Sequence, residues 1–101
     1  MNNQQIKVGD RCIVISSMYG NEGKIVRVVD DLGVIPRYTQ IMYRSQRWTA
    51  TGDYAVGIIS EGSPLTVPVY GKVMYMPVKR LNLRRLPDLK EDIPQLEQSE
   101  H

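Results

Sequence analysis

The sequence predicts an all-β protein, a small barrel of five to six strands followed by a short acidic C-terminal tail. Three observations carry this expectation. From Lys7 to Val29 two runs rich in β-branched residues flank a loop whose glycines sit at fixed spacing. Further short apolar runs follow, each bounded by Gly, Pro or Asp. The chain has 101 residues, 42% hydrophobic and 24% charged, which is enough for one core and too little for two. The expected organisation is a barrel domain over residues 1–87 and a flexible acidic segment over residues 88–101.

In chain order, Gly9-Asp10 makes a turn into the first strand, Arg11 to Ser17. Gly20 and Gly23 bracket a reversal that needs positive φ, and Lys24 to Val29 is the second strand. The runs Cys12 to Ile15 and Ile25 to Val29 suit a half-buried pleated surface and disfavour helix. Asp30-Asp31-Leu32-Gly33 has the composition of a hairpin turn. Arg37 to Trp48 fits two patterns: Tyr38, Ile41, Met42 and Ser45 match helical spacing, while Tyr38, Gln40 and Met42 match alternation. Strand plus loop is the preferred assignment. Strands at Tyr54 to Ser60, Leu65 to Tyr70 and Val73 to Val78 follow, separated by Glu61-Gly62-Ser63-Pro64 and Gly71-Lys72. Val78 to Leu86 reads as a closing strand and a 3₁₀ turn, with Leu81, Leu83 and Leu86 plugging the barrel and Lys79, Arg80, Arg84 and Arg85 outside. Pro87 to His101 has two prolines and no clear period, which predicts disorder or a short docked peptide using Leu89, Ile93 and Leu96.

Lys7 to Val29 resembles the KOW motif, a strand entered by Gly-Asp, a glycine-containing turn, and a second strand entered by Gly-Lys. The agreeing positions are Lys7, Gly9, Asp10, Val14, Ile15, Ser16, Gly20, Gly23, Lys24, Ile25 and Val28. Ser17 stands where the family often has glycine, and Tyr19 where a basic residue commonly precedes the central glycine. The resemblance implies an SH3-like barrel of the kind found in ribosomal proteins and NusG-type transcription factors, where such segments contact RNA or protein. Similar barrels serve as accessory subunits of enzymes such as nitrile hydratase, so the fold does not by itself fix a function.

Composition narrows the chemistry. The single histidine is His101, and Cys12 is the single cysteine. Zinc, haem and Cys/His nucleophile sites therefore lack ligands within one chain, and a non-enzymatic protein without cofactor or metal is expected. Cys12, in a strand and without a neighbouring histidine, is read as a buried structural thiol rather than a reactive one. Asp30-Asp31 is better explained as turn chemistry than as an acid/base or metal pair, and Gly20 to Gly23 as a strand-to-strand turn than as a phosphate cradle. No run approaches the roughly 18 apolar residues of a membrane span. The N-terminal MNNQQIKVGD lacks the apolar core of a secretory signal. Cytoplasmic residence without membrane association is the expectation.

The formal net charge of +2 conceals an asymmetry. Residues 1–87 hold twelve of the thirteen Lys and Arg and six of the eleven Asp and Glu, a net +6. Residues 88–101 hold Lys90 against five acids, a net −4. The tail either keeps the chain soluble or competes with polyanions for the basic body in a salt-dependent way. Arg37-Tyr38, Tyr43-Arg44 and Arg47-Trp48 set cations beside rings, the pairing that neutralises phosphate and stacks on exposed bases. The competing reading is that Trp48 and the tyrosines cover the core edge while the arginines are merely solvated.

These features predict a module that binds RNA or another single-stranded nucleic acid. Its expected phosphate contacts are Arg37, Arg44, Arg47, Lys79, Arg80, Arg84 and Arg85, and its stacking platforms Tyr43 and Trp48. The alternative is a protein-interaction, accessory or self-assembling module of the type encoded by phages and mobile elements, binding a protein partner or a second copy. It rests on Tyr70, Met74 and Met76, since simple alternation from Val73 to Met76 makes both faces of that strand apolar.

Overall fold

Alternation sets the inward face of the first strands, and the computed structural model, which describes residues 6–50 and 52–87, shows where each run ends. Among the described residues nine strands form: β1 (Arg11–Val14), β2 (Ile25–Val34), β3 (Gln40–Tyr43), β4 (Gln46–Thr49), β5 (Tyr54–Ser60), β6 (Leu65–Val67), β7 (Gly71–Val73), β8 (Tyr75–Lys79) and β9 (Leu83–Arg85). A 3₁₀ turn, Arg80–Asn82, joins the last two. The protein is all-β, with no α-helix among the described residues, and none of its helical segments is long and apolar enough to cross a membrane.

Five strands make one antiparallel sheet in the order β8-β5-β2-β1-β9, while β3-β4 and β6-β7 are separate hairpins. Cys12 lies opposite Val26, and Val28 opposite Ile58, which in turn lies opposite Met76. These residues face inward, and with Val14, Val56, Leu65, Val67, Val73 and Leu83 they form the core. Cys12 is fully buried, and its thiol is pushed up to about 11, chiefly by loss of hydration and further by Asp10. On the outer face a row runs Arg11, Arg27, Ile59, Tyr75 across four strands. Glu61 accepts hydrogen bonds from Arg11 (2.9 Å) and Arg27 (2.7 Å) at one end of that row.

The sheet is open, and the described residues form no closed barrel. Strands β8 and β9 stand at opposite edges, yet only three residues separate them. A flat five-stranded sheet would put its edges about 19 Å apart, whereas a 3₁₀ connection advances about 2 Å per residue. The sheet must therefore curve strongly so that its edges approach without a hydrogen-bonded seam. Pro77 in β8, which has no N–H to donate, is at home on such an edge.

Four further expectations change. Asp30 to Gly33 is no turn: β2 continues through it, with register shifts between Val28 and Asp30 and between Asp31 and Gly33. The polar residues that suggested a turn make bulges instead, and Gly33 supplies φ +77° at the second. Arg37 to Trp48 holds two strands, since Arg44 and Ser45 adopt φ +52° and +67° and close a two-residue hairpin. The run from Leu65 to Val78 divides into three strands, the break at Met74 placing both Val73 and Met76 in the core. Among the leucines expected to plug the barrel, Leu83 is buried, Leu86 half-buried, and Leu81 exposed at 59%. The acidic tail, including Leu89, Ile93 and Leu96, lies outside the described residues.

Candidate functional site

The β3-β4 hairpin is amphipathic, and its pairing explains how. Ile41 lies opposite Trp48 and Tyr43 opposite Gln46, so these four share one face. That face is buried or half-buried, whereas Gln40, Met42, Arg47 and Thr49 on the other are exposed.

Tyr43 seats the hairpin on the sheet. It is 7% exposed and donates a 2.5 Å hydrogen bond to Asp30 of β2. Its ring lies over Gly57 of β5, where any Cβ would strike it. Arg44 donates to the same Asp30 oxygen at 2.9 Å, its guanidinium 4.2 Å from the Tyr75 ring centre and 5.5 Å from that of Tyr43. The Tyr43 hydroxyl, then Arg44, hold the Asp30 carboxyl below its usual range. Burial, then the adjacent carboxylate, push the Tyr43 phenol up to about 12. Tyr43 is thus no exposed stacking platform. It is a fixed strut, and Arg44 is already partnered.

Two other carboxyls behave like Asp30. Burial opposes ionisation of Asp10 and Glu61, but Lys7 and Arg85 around the first, and Arg27 and Arg11 around the second, outweigh it. All three titrate lower folded than unfolded. Their contribution is complete above the ordinary carboxyl values and is lost as pH falls through the folded ones. Stability should therefore hold from neutrality to about pH 5 and decline below about pH 4. Urea midpoints across this range should fall less steeply for Asp10→Asn than for the wild type; equal slopes would show that Asp10 is not the group being titrated.

A second tyrosine joins the hairpins. The Tyr70 hydroxyl accepts from the Arg47 N–H (2.9 Å) and donates to the Arg47 carbonyl (2.8 Å), while its ring meets Trp48 edge-on at 5.5 Å. Tyr70 is used within the chain, and Met76 is 7% exposed. The two apolar faces expected of one strand are therefore absent, because the break at Met74 resets the alternation. Met74 alone of the proposed interface trio remains open, at 40%.

Trp48 is half-buried and packs against the core. Beside it a cavity of about 130 Å³ opens over Val14, Ile58, Leu65 and Met76. Lys79 lines the same cavity, so the hairpin and the closing cluster, 31 positions apart in sequence, meet here. The loop after β1 supplies another wall. The Ser17 hydroxyl accepts from the N–H groups of Tyr19 (3.1 Å) and Asn21 (3.2 Å), and the Asn21 amide exchanges two hydrogen bonds with the Thr66 backbone (2.8 and 3.0 Å). Asn21, 2% exposed, thereby ties that loop to β6 in the manner of a strand partner.

The other basic residues expected at the site differ in their partners. Arg85 lies 3.5 Å from Asp10. Arg47, Lys79, Arg80 and Arg84 form no ion pair among the described residues, although Arg80 stacks 3.8 Å from the Tyr54 ring centre. Arg80 and Arg84 share a second groove with Leu81 and Tyr54. The 3₁₀ turn separates it from the Trp48 cavity, which Lys79 and Asn82 line. Arg37 is exposed beside Tyr38, its guanidinium 5.7 Å from that ring centre, away from both grooves' linings. Sequence reasoning missed Ser16, Tyr19, Thr49 and Asn82 as cavity residues, for they come from separate segments and bear no shared pattern. Comparison with protein-family models, curated proteins and solved structures finds no match to the chain.

Proposed function

We propose that the protein is a non-enzymatic module that binds single-stranded nucleic acid, RNA foremost, along a track from Arg47 and Trp48 past Lys79 to Arg80 and Arg84. One observation carries this. All six described carboxylates are engaged within the fold, as partners of Lys7, Arg11, Arg27, Arg44 and Arg85 or as acceptors from backbone N–H groups and the Tyr54 hydroxyl. Four cations are left without a carboxylate: Arg47 beside Trp48, Lys79 at the Trp48 cavity, and Arg80 and Arg84 in the adjoining groove. Such surplus positive charge is what phosphate neutralisation requires, and a half-buried tryptophan beside it suits a base more than a duplex.

The resemblance of residues 7–29 to KOW segments supports the same reading, and we take the curved open sheet as a variant of the SH3-like architecture. The alternative, a protein-interaction or self-assembling module, retains Met74 as its exposed residue. Titrating a short uridine-rich RNA at low ionic strength should give saturable micromolar binding, with quenching of Trp48, the only tryptophan. A duplex of matched length should bind more weakly. Absence of binding, or preference for the duplex, would overturn the proposal.

A further inference from the structure

We infer that the cavity beside Trp48 is a subsite for one unstacked nucleobase. This rests on the single-strand proposal and specifies what its aromatic element holds. The floor is apolar, built from Val14, Ile58, Leu65 and Met76, with Trp48 along one side. Four residues whose polar side chains are uncommitted also line it: Ser16, Tyr19, Lys79 and Asn82. None of the four makes a side-chain hydrogen bond or ion pair among the described residues, whereas Ser17 and Asn21 in the same lining are committed to holding the loop.

An apolar box with several uncommitted donors at its lining is how a pocket fixes the orientation of a ligand that has apolar faces and polar edges. A nucleobase has that form: two π faces, a perimeter of carbonyls, ring nitrogens and amino groups, and an attached phosphate that Lys79 can meet. An aliphatic peptide side chain would leave the four polar groups unanswered, and an acidic one would satisfy Lys79 while burying charge against the apolar floor. At about 130 Å³ the cavity is smaller than the roughly 300–1,000 Å³ that encloses a whole small-molecule ligand. That size suits one ring of a longer chain whose backbone stays outside. Lys79 and the adjoining cations Arg80 and Arg84 then follow the phosphates on either side.

The test compares two strands of equal length and equal charge, one bearing bases and one abasic, by anisotropy at the same low salt. The base-bearing strand should bind about tenfold more tightly or better. Ser16→Phe fills the cavity and breaks no side-chain hydrogen bond within the described fold, and should bring the base-bearing strand to the affinity of the abasic one while leaving the latter unchanged. Asn82→Ala provides a second variant, lowering base-bearing affinity alone. Equal affinity of the two strands for the wild type overturns the base subsite while leaving phosphate binding intact. Failure of both strands to bind overturns the single-strand proposal itself, and so does an apolar peptide that occupies the cavity where neither strand will.

Discussion

Replacing Gly57 by alanine should destabilise the protein by about 1–3 kcal/mol, the usual range for forcing an extra carbon into a filled space. Gly57 lies mid-strand in β5, opposite Asp30 of β2 and Pro77 of β8. A Cβ there would stand 2.9 Å from Tyr43 Cε1 and closer still to the Cζ and hydroxyl. Tyr43 has little freedom to retreat, since its hydroxyl is bound to Asp30 and its ring is buried. The β3-β4 hairpin would have to lift, and Trp48 and Ile41 share the face it would expose. The lesion should therefore reach the cavity as well as stability, raising the accessibility of Trp48 to a neutral quencher. Placing Gly57→Ala in a Tyr43→Ala background should reduce its cost to well under 1 kcal/mol, the signature of two residues in direct contact. Equal urea midpoints for Gly57→Ala and wild type would mean that the hairpin is not seated on the sheet at this point.

Reversing two charges, in Lys79→Glu/Arg84→Glu, should weaken binding of single-stranded RNA by at least about tenfold at low salt. The same change should move stability by no more than about 0.5 kcal/mol, because neither side chain bonds to the described fold. Arg44→Glu and Arg85→Glu provide the contrast. These arginines partner Asp30 and Asp10, so their reversal sets like charges together and should lower the urea midpoint. Binding unchanged by the Lys79 and Arg84 reversals would remove the closing cluster from the interface.

Local chemistry made some parts of the fold legible. The strand from Tyr54 to Ser60 lies where its apolar run and flanking turn residues put it, and Cys12 is buried as its place in the first strand implied. Asp30 to Gly33 misled because Asp and Gly serve bulges as readily as turns, and only the register with β5 separates the two. The Arg44-Ser45 reversal was hidden because it lacks the glycine or asparagine that usually marks positive φ. Met74 could not be recognised as a break because an apolar residue gives no turn signal. At the candidate site, sequence identified cations and rings but not their partners. Tyr43 and Trp48 look alike as residues beside arginines, yet one is a strut bound to a distant Asp30 and the other borders a cavity. The difference depends on contacts between strands far apart in sequence. Asn21, read only as part of a turn, owes its burial to Thr66, 45 residues away.

Cations left unpaired by the fold are proposed to hold the phosphates of a single strand. The most direct measurement is the RNA affinity of the whole chain across a series of salt concentrations. If Arg47, Lys79, Arg80 and Arg84 each neutralise one phosphate, log K should fall against log salt with a slope of about −2.8. Loss of Lys79 and Arg84 should flatten it by about 1.4. A slope near zero, or one that the double variant leaves unchanged, would contradict the claim.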